Sequence, residues 1–178
     1  MIKITKDVTE QVLRAVQNME RKKLLVGIPS DRAVRKDDGH SINNAALGYI
    51  HENGSPANNI PARPSLVPGV RAVKGKCADI LQDSATDAFT DDGAIERGLN
   101  ACGLVAQASV RKTMTEGEGF EPLKEGTLRA RARKGREGAA QELASRKAGN
   151  KPNPANARPL IDTGQLRNSM TYVVRDKK

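Results

Sequence analysis

Apolar positions along this chain fall into two periods. Ile2 and Ile4 alternate with Lys3 and Thr5, the two-residue period of a short strand. Asp7, with Glu10 three residues on, resembles a capping box at a helix start. Val8, Val12, Leu13, Val16 and Met19 then mark one helical face, and Lys22 and Lys23 suit that helix's negative end. Leu24, Leu25, Val26, Gly27 and Ile28 form an unbroken apolar run stopped by Pro29, which predicts a central, well-covered strand. The charged, irregular stretch 30–41 predicts a loop.

Helical spacing returns at 44–53 with Ala46, Leu47 and Ile50. Residues 69–89 predict a helix with Val73, Cys77, Ile80, Leu81, Ala85 and Phe89 on its apolar side. Asp92 is placed to cap the next helix, 94–115, whose stripe is Ile95, Leu99, Cys102, Ala106, Val110 and Met114. Gly98 and Gly103 each lower its intrinsic helicity by about 1 kcal/mol relative to Ala, so a close helix crossing is expected there. Phe120 to Leu123 reads as a short anchor, and Thr127 opens a basic helix. From 135 to 158 the chain is rich in Ala, Gly, Lys, Asn and Pro, with a thin apolar face at 139–147 and a linker-like end at 150–158. It is expected to be an inserted flexible arm. An apolar anchor, a turn and a short helix follow at 160–170, then a strand at 171–175. These elements predict an α+β fold: a small, mostly antiparallel sheet flanked by helices, with long exposed loops. Residues 1–134 and 159–178 would form its single domain.

The densest local shape lies at 47–66. Asn53-Gly54 is a helix terminator, because Gly enters the left-handed conformation without a Cβ clash. Pro56 cannot continue the helix, while Pro61 and Pro64 fix their own φ and push Ile60 and Arg63 toward extended geometry. Arg63 thus sits on a stiff rail, able to meet a carboxylate or backbone carbonyls with its guanidinium. Tyr49, His51, Glu52, Ile60, Pro61, Arg63 and Pro64 are the candidate subunit contact, since a rigid segment loses little freedom on docking. In the alternative, Arg63 and Glu52 pin the loop to its own domain.

Composition sharpens this picture. The chain has 178 residues, no Trp, and only 2% aromatic residues, so its core must come from aliphatic side chains, Ala and Met. A chain this poor in large apolar groups is expected to gain stability by assembling. Its net charge of +9 suits an anionic partner such as nucleic acid or an acidic protein surface. Arg129, Arg131, Arg133, Lys134 and Arg136 are the candidate contacts to DNA or an acidic partner, although no aromatics are interleaved for base stacking. Cys77 and Cys102 are expected as free thiols in a reducing compartment. No signal peptide or membrane-length apolar run is read, and no membrane partner is expected.

No catalytic constellation emerges, and neither a cofactor nor a metal is expected. His51-Glu52 has no second His at helical spacing, and neither Cys belongs to a CxxC pair. Gly48 to Gly54 lacks the Gly-Lys-Ser/Thr of a phosphate loop, and Gly103 follows no strand. Asp37-Asp38 and Asp91-Asp92 are sequence neighbours, which do not face each other, and read as solvated loop charges.

Three motifs carry a resemblance. The first is Gly48-Tyr49-Ile50-His51-Glu52-Asn53-Gly54 followed by Ile60-Pro61-Ala62-Arg63-Pro64-Ser65-Leu66. The second is Pro122-Leu123 with Thr127 and a basic helix. The third is Pro159-Leu160-Ile161-Asp162-Thr163-Gly164-Gln165-Leu166 with Ser169 and a strand. In this order they resemble the small tail-completion and neck proteins of tailed bacteriophages, related to the HK97-type head–tail joining family. The chain departs in its long insert between Lys134 and Pro159, and in Ser65 where a bulkier aromatic is expected.

The resemblance implies a non-enzymatic structural protein of the virion, assembled in the host bacterial cytoplasm. It implies an α+β subunit of a homo-oligomeric ring, a hexamer, at the head–tail junction in a tail-completion or tail-terminator role. Other neck and tail proteins would be its partners, and DNA would pass non-specifically through the lumen. The alternative function is a basic, non-specific nucleic-acid-binding module built on Arg129 to Arg136.

Overall fold

The computed structural model describes residues 9–35 and 42–177. The strand expected at 2–5, the Asp7 cap, the Asp37-Asp38 pair and His40 lie outside the described residues. The fold is α+β, as expected. In chain order its elements are α1 (Thr9–Arg21), β1 (Lys22–Gly27), α2 (Asn44–Asn53), α3 (Leu66–Ala72), α4 (Lys74–Asp87), α5 (Ala94–Glu116), α6 (Glu125–Arg133), α7 (Glu137–Lys147), α8 (Gln165–Ser169) and β2 (Thr171–Asp176).

The apolar stripe of α5 makes it the central element. Ile95, Leu99, Cys102, Ala106, Val110 and Met114 are all buried, as the periodicity predicts. α3 and α4 pack on one side of α5, and the sheet packs on another. Its glycines explain how closely its neighbours approach. A Cβ on Gly98 would lie 2.0 Å from Ser84 Oγ, so the expected close helix crossing is real there, against α4. At Gly103 the neighbour is not a helix: the Cβ would lie 2.2 Å from the Tyr172 ring of β2. The α5 N-terminus is held by Asp91 rather than Asp92. The Asp91 carboxylate accepts from Gly93 N at 2.8 Å and pairs with Arg97.

Two sequence expectations change in this frame. Among the described residues, the run at 24–29 is not a central strand. β1 pairs, among the described residues, only with β2, antiparallel, from Lys22↔Asp176 to Gly27↔Thr171. Leu25 is 44% exposed, because α5 covers only one face of this two-stranded sheet and alternate side chains point away from it. The helix expected at 69–89 is two helices, broken at Val73, whose φ of −110° and ψ of 11° leave helical geometry.

The inserted arm is also corrected. α7 packs on α6, and Leu123, Leu128, Ala139 and Ala157 form a buried cluster of their own. A Cβ on Gly138 would lie 2.0 Å from Asn156 O, so its absence lets the following loop lie directly on α7. The anchor in this segment is polar. Glu142 is 1% exposed and accepts from Asn153 N at 2.8 Å, Asn156 Nδ2 at 2.9 Å and Arg146 Nε at 2.7 Å. An apolar-periodicity reading passes over such a segment, because its buried face is held by a carboxylate and small residues. Cys77 and Cys102 are free, as expected, and meet across α4 and α5, with Cys102 Sγ 3.4 Å from Cys77 O. Burial, then the neighbouring Cys77, push the Cys102 thiol up to about 11.

Candidate functional site

The stretch singled out at 47–66 folds as its local signals dictate. Asn43 caps α2, its Oδ1 accepting from Ala46 N at 2.8 Å. Gly54, at φ 78°, ends the helix. A Cβ there would lie 2.9 Å from Ala62 N, so this position requires glycine for space as well as for φ. Ser55 and Ile60 then close a tight loop through reciprocal backbone bonds of 2.8 and 3.0 Å. The return strand is fixed by Arg63 N donating to His51 O at 2.6 Å. The Glu52 carboxylate turns to the start of α3, accepting from Ser65 N at 2.7 Å, Leu66 N at 2.9 Å and Val67 N at 2.9 Å. These are backbone donors that a helix start leaves without partners.

Arg63 is therefore not an exposed rail. It is 5% exposed, and its Nε and Nη2 donate to Glu121 O at 3.1 and 3.0 Å. It selects a backbone carbonyl of its own chain, while Glu52 serves α3. The candidate interface is corrected accordingly: Arg63 and Glu52 are internal ties. His51 is half-buried, and burial, then the Arg63 and Arg131 guanidinium groups, lower it from 6.5 to about 4. Ile60 and Pro61 are half-buried, whereas Pro64 is exposed and Tyr49 is 72% exposed. Of the original set, Tyr49 and Pro64 present the most free surface.

The same device recurs in the second and third motifs. Arg131 Nη1 donates to Arg158 O and Ile161 O, both at 2.9 Å, and its Nη2 to Pro159 O at 3.0 Å. Its side chain is 13% exposed, so it is turned into its own chain and not toward solvent. Arg146 Nη1 reaches Leu123 O at 2.9 Å, and Arg111 grips Met170 O at 3.1 and 2.8 Å. Arg136 pairs with Asp162 at 3.0 Å. Arg129 is exposed but pairs with Glu125 at 2.5 Å, which leaves Arg133 and Lys134 as exposed cations of the basic run. The three motifs thus meet in space: Arg63 ties the first to the second, and Arg131 ties the second to the third. Phe120, Leu160, Leu166 and Met170 close around Val110 and Met114 beneath them.

Two concavities flank α3. One, of about 410 Å³, opens between α2 and the sheet end, lined by Gly48, Tyr49, Glu52, Leu66, Met114 and Leu166 among others. The second is an open groove of about 680 Å³ walled by Leu24, Val26, Val70 and Leu81, with Cys77, Cys102 and Ala106 deeper in and Arg71 and Lys74 beside it. Sequence reasoning missed this groove, because it divides one long helix at Val73 and is assembled from β1, α3, α4 and α5. The Val67, Val70, Arg71 spacing was the signal available for its α3 wall. Among the described residues, no group of His, Cys, Asp and Glu is placed to hold a metal ion, and no helix is long and apolar enough to cross a membrane. No protein-family model, curated protein or solved structure matches this chain.

Proposed function

We propose that this chain is a structural subunit of a tailed-phage neck or tail, forming a ring that joins tail to capsid around the DNA channel. One observation carries the proposal. The three motifs behind the resemblance, far apart in sequence, converge on one unit tied by Arg63 and Arg131. This gives the motifs a shared physical role, that of holding a rigid subunit. Rigid subunits with apolar outer surfaces suit assembly, since little order is lost on docking. Exposed Val12, Leu13, Val16, Val67 and Tyr49 provide such a surface.

Electron microscopy of the purified protein, alone and with tails or capsids, tests the reading. Rings with an open lumen, and rings at the tail end or portal vertex, are expected. A protein that stays monomeric and decorates neither particle overturns it. The second reading, a basic nucleic-acid module, is favoured by the exposed Arg133 and Lys134 at the end of α6. A ring lumen requires weak, sequence-independent DNA binding that falls steeply with salt. Arg133→Ala with Lys134→Ala should weaken that binding several-fold at low salt, measured by fluorescence anisotropy. Tight DNA binding by the monomer would favour the module instead.

A further inference from the structure

Among the described residues, α1 and the groove beside α3 each present apolar side chains to solvent. The first is α1. Ala15 is its one buried residue, packed with Ala88, Ala94, Ile95 and Leu99, while Val12, Leu13 and Val16 are 39%, 55% and 45% exposed. Val12 lies one turn from Ala15 on the same side, and Val16 and Leu13 lie progressively around the helix from it, so α1 can hold its own body through Ala15 and present a flanking apolar face. The second surface is the groove between β1, α3 and α4, where Val67, Val70 and Leu81 are 52%, 38% and 37% exposed.

Their patterns are complementary. On α1, Val12, Val16 and Glu20 follow at four-residue spacing, which reads apolar, apolar, acidic along one face. Along the groove, Val67 and Val70 precede Arg71 and Lys74, which reads apolar, apolar, cationic in the same chain direction. We propose that α1 of one copy lies in the α3–α4 groove of the next, a helix-in-groove contact between copies of this chain. Val12 and Val16 pack against Val67 and Val70, and Glu20 sits beside Arg71 and Lys74. This inference rests on the ring reading and names the surfaces that close the ring. The cations beside the groove select against a basic occupant, and every copy of this chain, itself at +9, carries a helix that brings Glu20 to that place. Because helix and groove are different patches, the contact is head-to-tail and propagates from copy to copy.

The test uses the full chain, with assembly followed by sedimentation velocity and light scattering. Val16→Glu and Val70→Glu each replace an exposed residue, so far-UV circular dichroism and melting temperature should stay parental. Each should raise the concentration needed for assembly by about tenfold or more, because a carboxylate in an apolar contact is desolvated without a partner. Charge reversal tests the register. Glu20→Lys and Lys74→Glu should each assemble poorly alone, yet an equimolar mixture should assemble like the parent, since every mixed contact then pairs opposite charges. If the parent forms rings and the α1 variants assemble equally well, the helix is not the occupant and this inference fails while the ring reading stands. If the groove variants alone weaken assembly, another segment fills the groove and the inference again fails. If the parent never assembles, both fail together.

Discussion

Two regions of this molecule use polar and apolar side chains in opposite ways. In the unit built from the three motifs, together with α7, arginines and a carboxylate are inside. On α1 and along the α3–α4 groove, valines and leucines are outside. The first region is satisfied within the one chain. Arg63 is 5% exposed, Glu142 is 1% exposed, and both have partners in their own chain. The second is incomplete, with Leu13 and Val67 more than half exposed. An aromatic-poor chain can hold distant segments together with guanidinium-to-carbonyl bonds, each stronger than a neutral hydrogen bond. That frees its aliphatic residues for surface contacts. The teaching is that the conspicuous motifs hold this chain together from within, while the plainer periodic segments leave apolar side chains at its surface.

The contrast breaks most sharply at Glu142. Burial alone would raise its carboxyl, but bonds from Asn153 N, Arg146 and Asn156 more than offset this, so it stays below the usual carboxylate range. Glu142→Ala leaves Arg146 and two amides without their acceptor. It should cost about 3–5 kcal/mol in urea unfolding, and hydrogen exchange should rise first in α7. A loss below about 1 kcal/mol would mean that α7 is held by its apolar contacts alone.

The pH dependence sharpens the comparison next. His51 falls from 6.5 to about 4 on folding, so between those values the unfolded chain binds more protons and stability rises with pH. The contribution is complete above about 6.5 and is lost as pH falls toward 4, a change of about 3 kcal/mol. Chemical denaturation at pH 7 and pH 5 should show most of this slope, and His51→Gln should flatten it. An unchanged slope in the variant would remove His51 from the clamped unit.

A smaller effect separates the two roles considered for Arg63. Arg63→Ala removes two bonds to Glu121 O and should destabilise the monomer by about 2–3 kcal/mol, read as an earlier thermal transition. Below that transition the variant should still assemble. A parental melting temperature with failed assembly would return Arg63 to the interface.

The stripe of α5, the end of α2 at Gly54 and the final strand were legible in the chain, because each depends on local rules of periodicity and φ. The anchors Phe120, Leu123 and Leu160 were legible too, as isolated large apolar residues in polar surroundings. The order within 137–157 was not. Nothing local announces that Glu142 will meet Asn153 and Asn156, and its partners exist only once the loop has turned back. Arg63 was recognised as special, but its rigid setting fitted an external carboxylate and an internal carbonyl equally well. Only the position of residue 121 chose between them.

The sequence by itself determined the long α5 helix, the end of α2 at Gly54, the final strand, and that the interior would be largely aliphatic. These follow from interactions within a few residues, which the chain carries wherever it goes. The tertiary structure decided which charged groups are buried and which apolar groups are left exposed. A buried charge is tolerated only where distant donors and acceptors converge on it. An apolar side chain is covered only where another element happens to reach it. Both outcomes depend on long-range packing, which is why the motif arginines turn inward here and the α1 valines turn out.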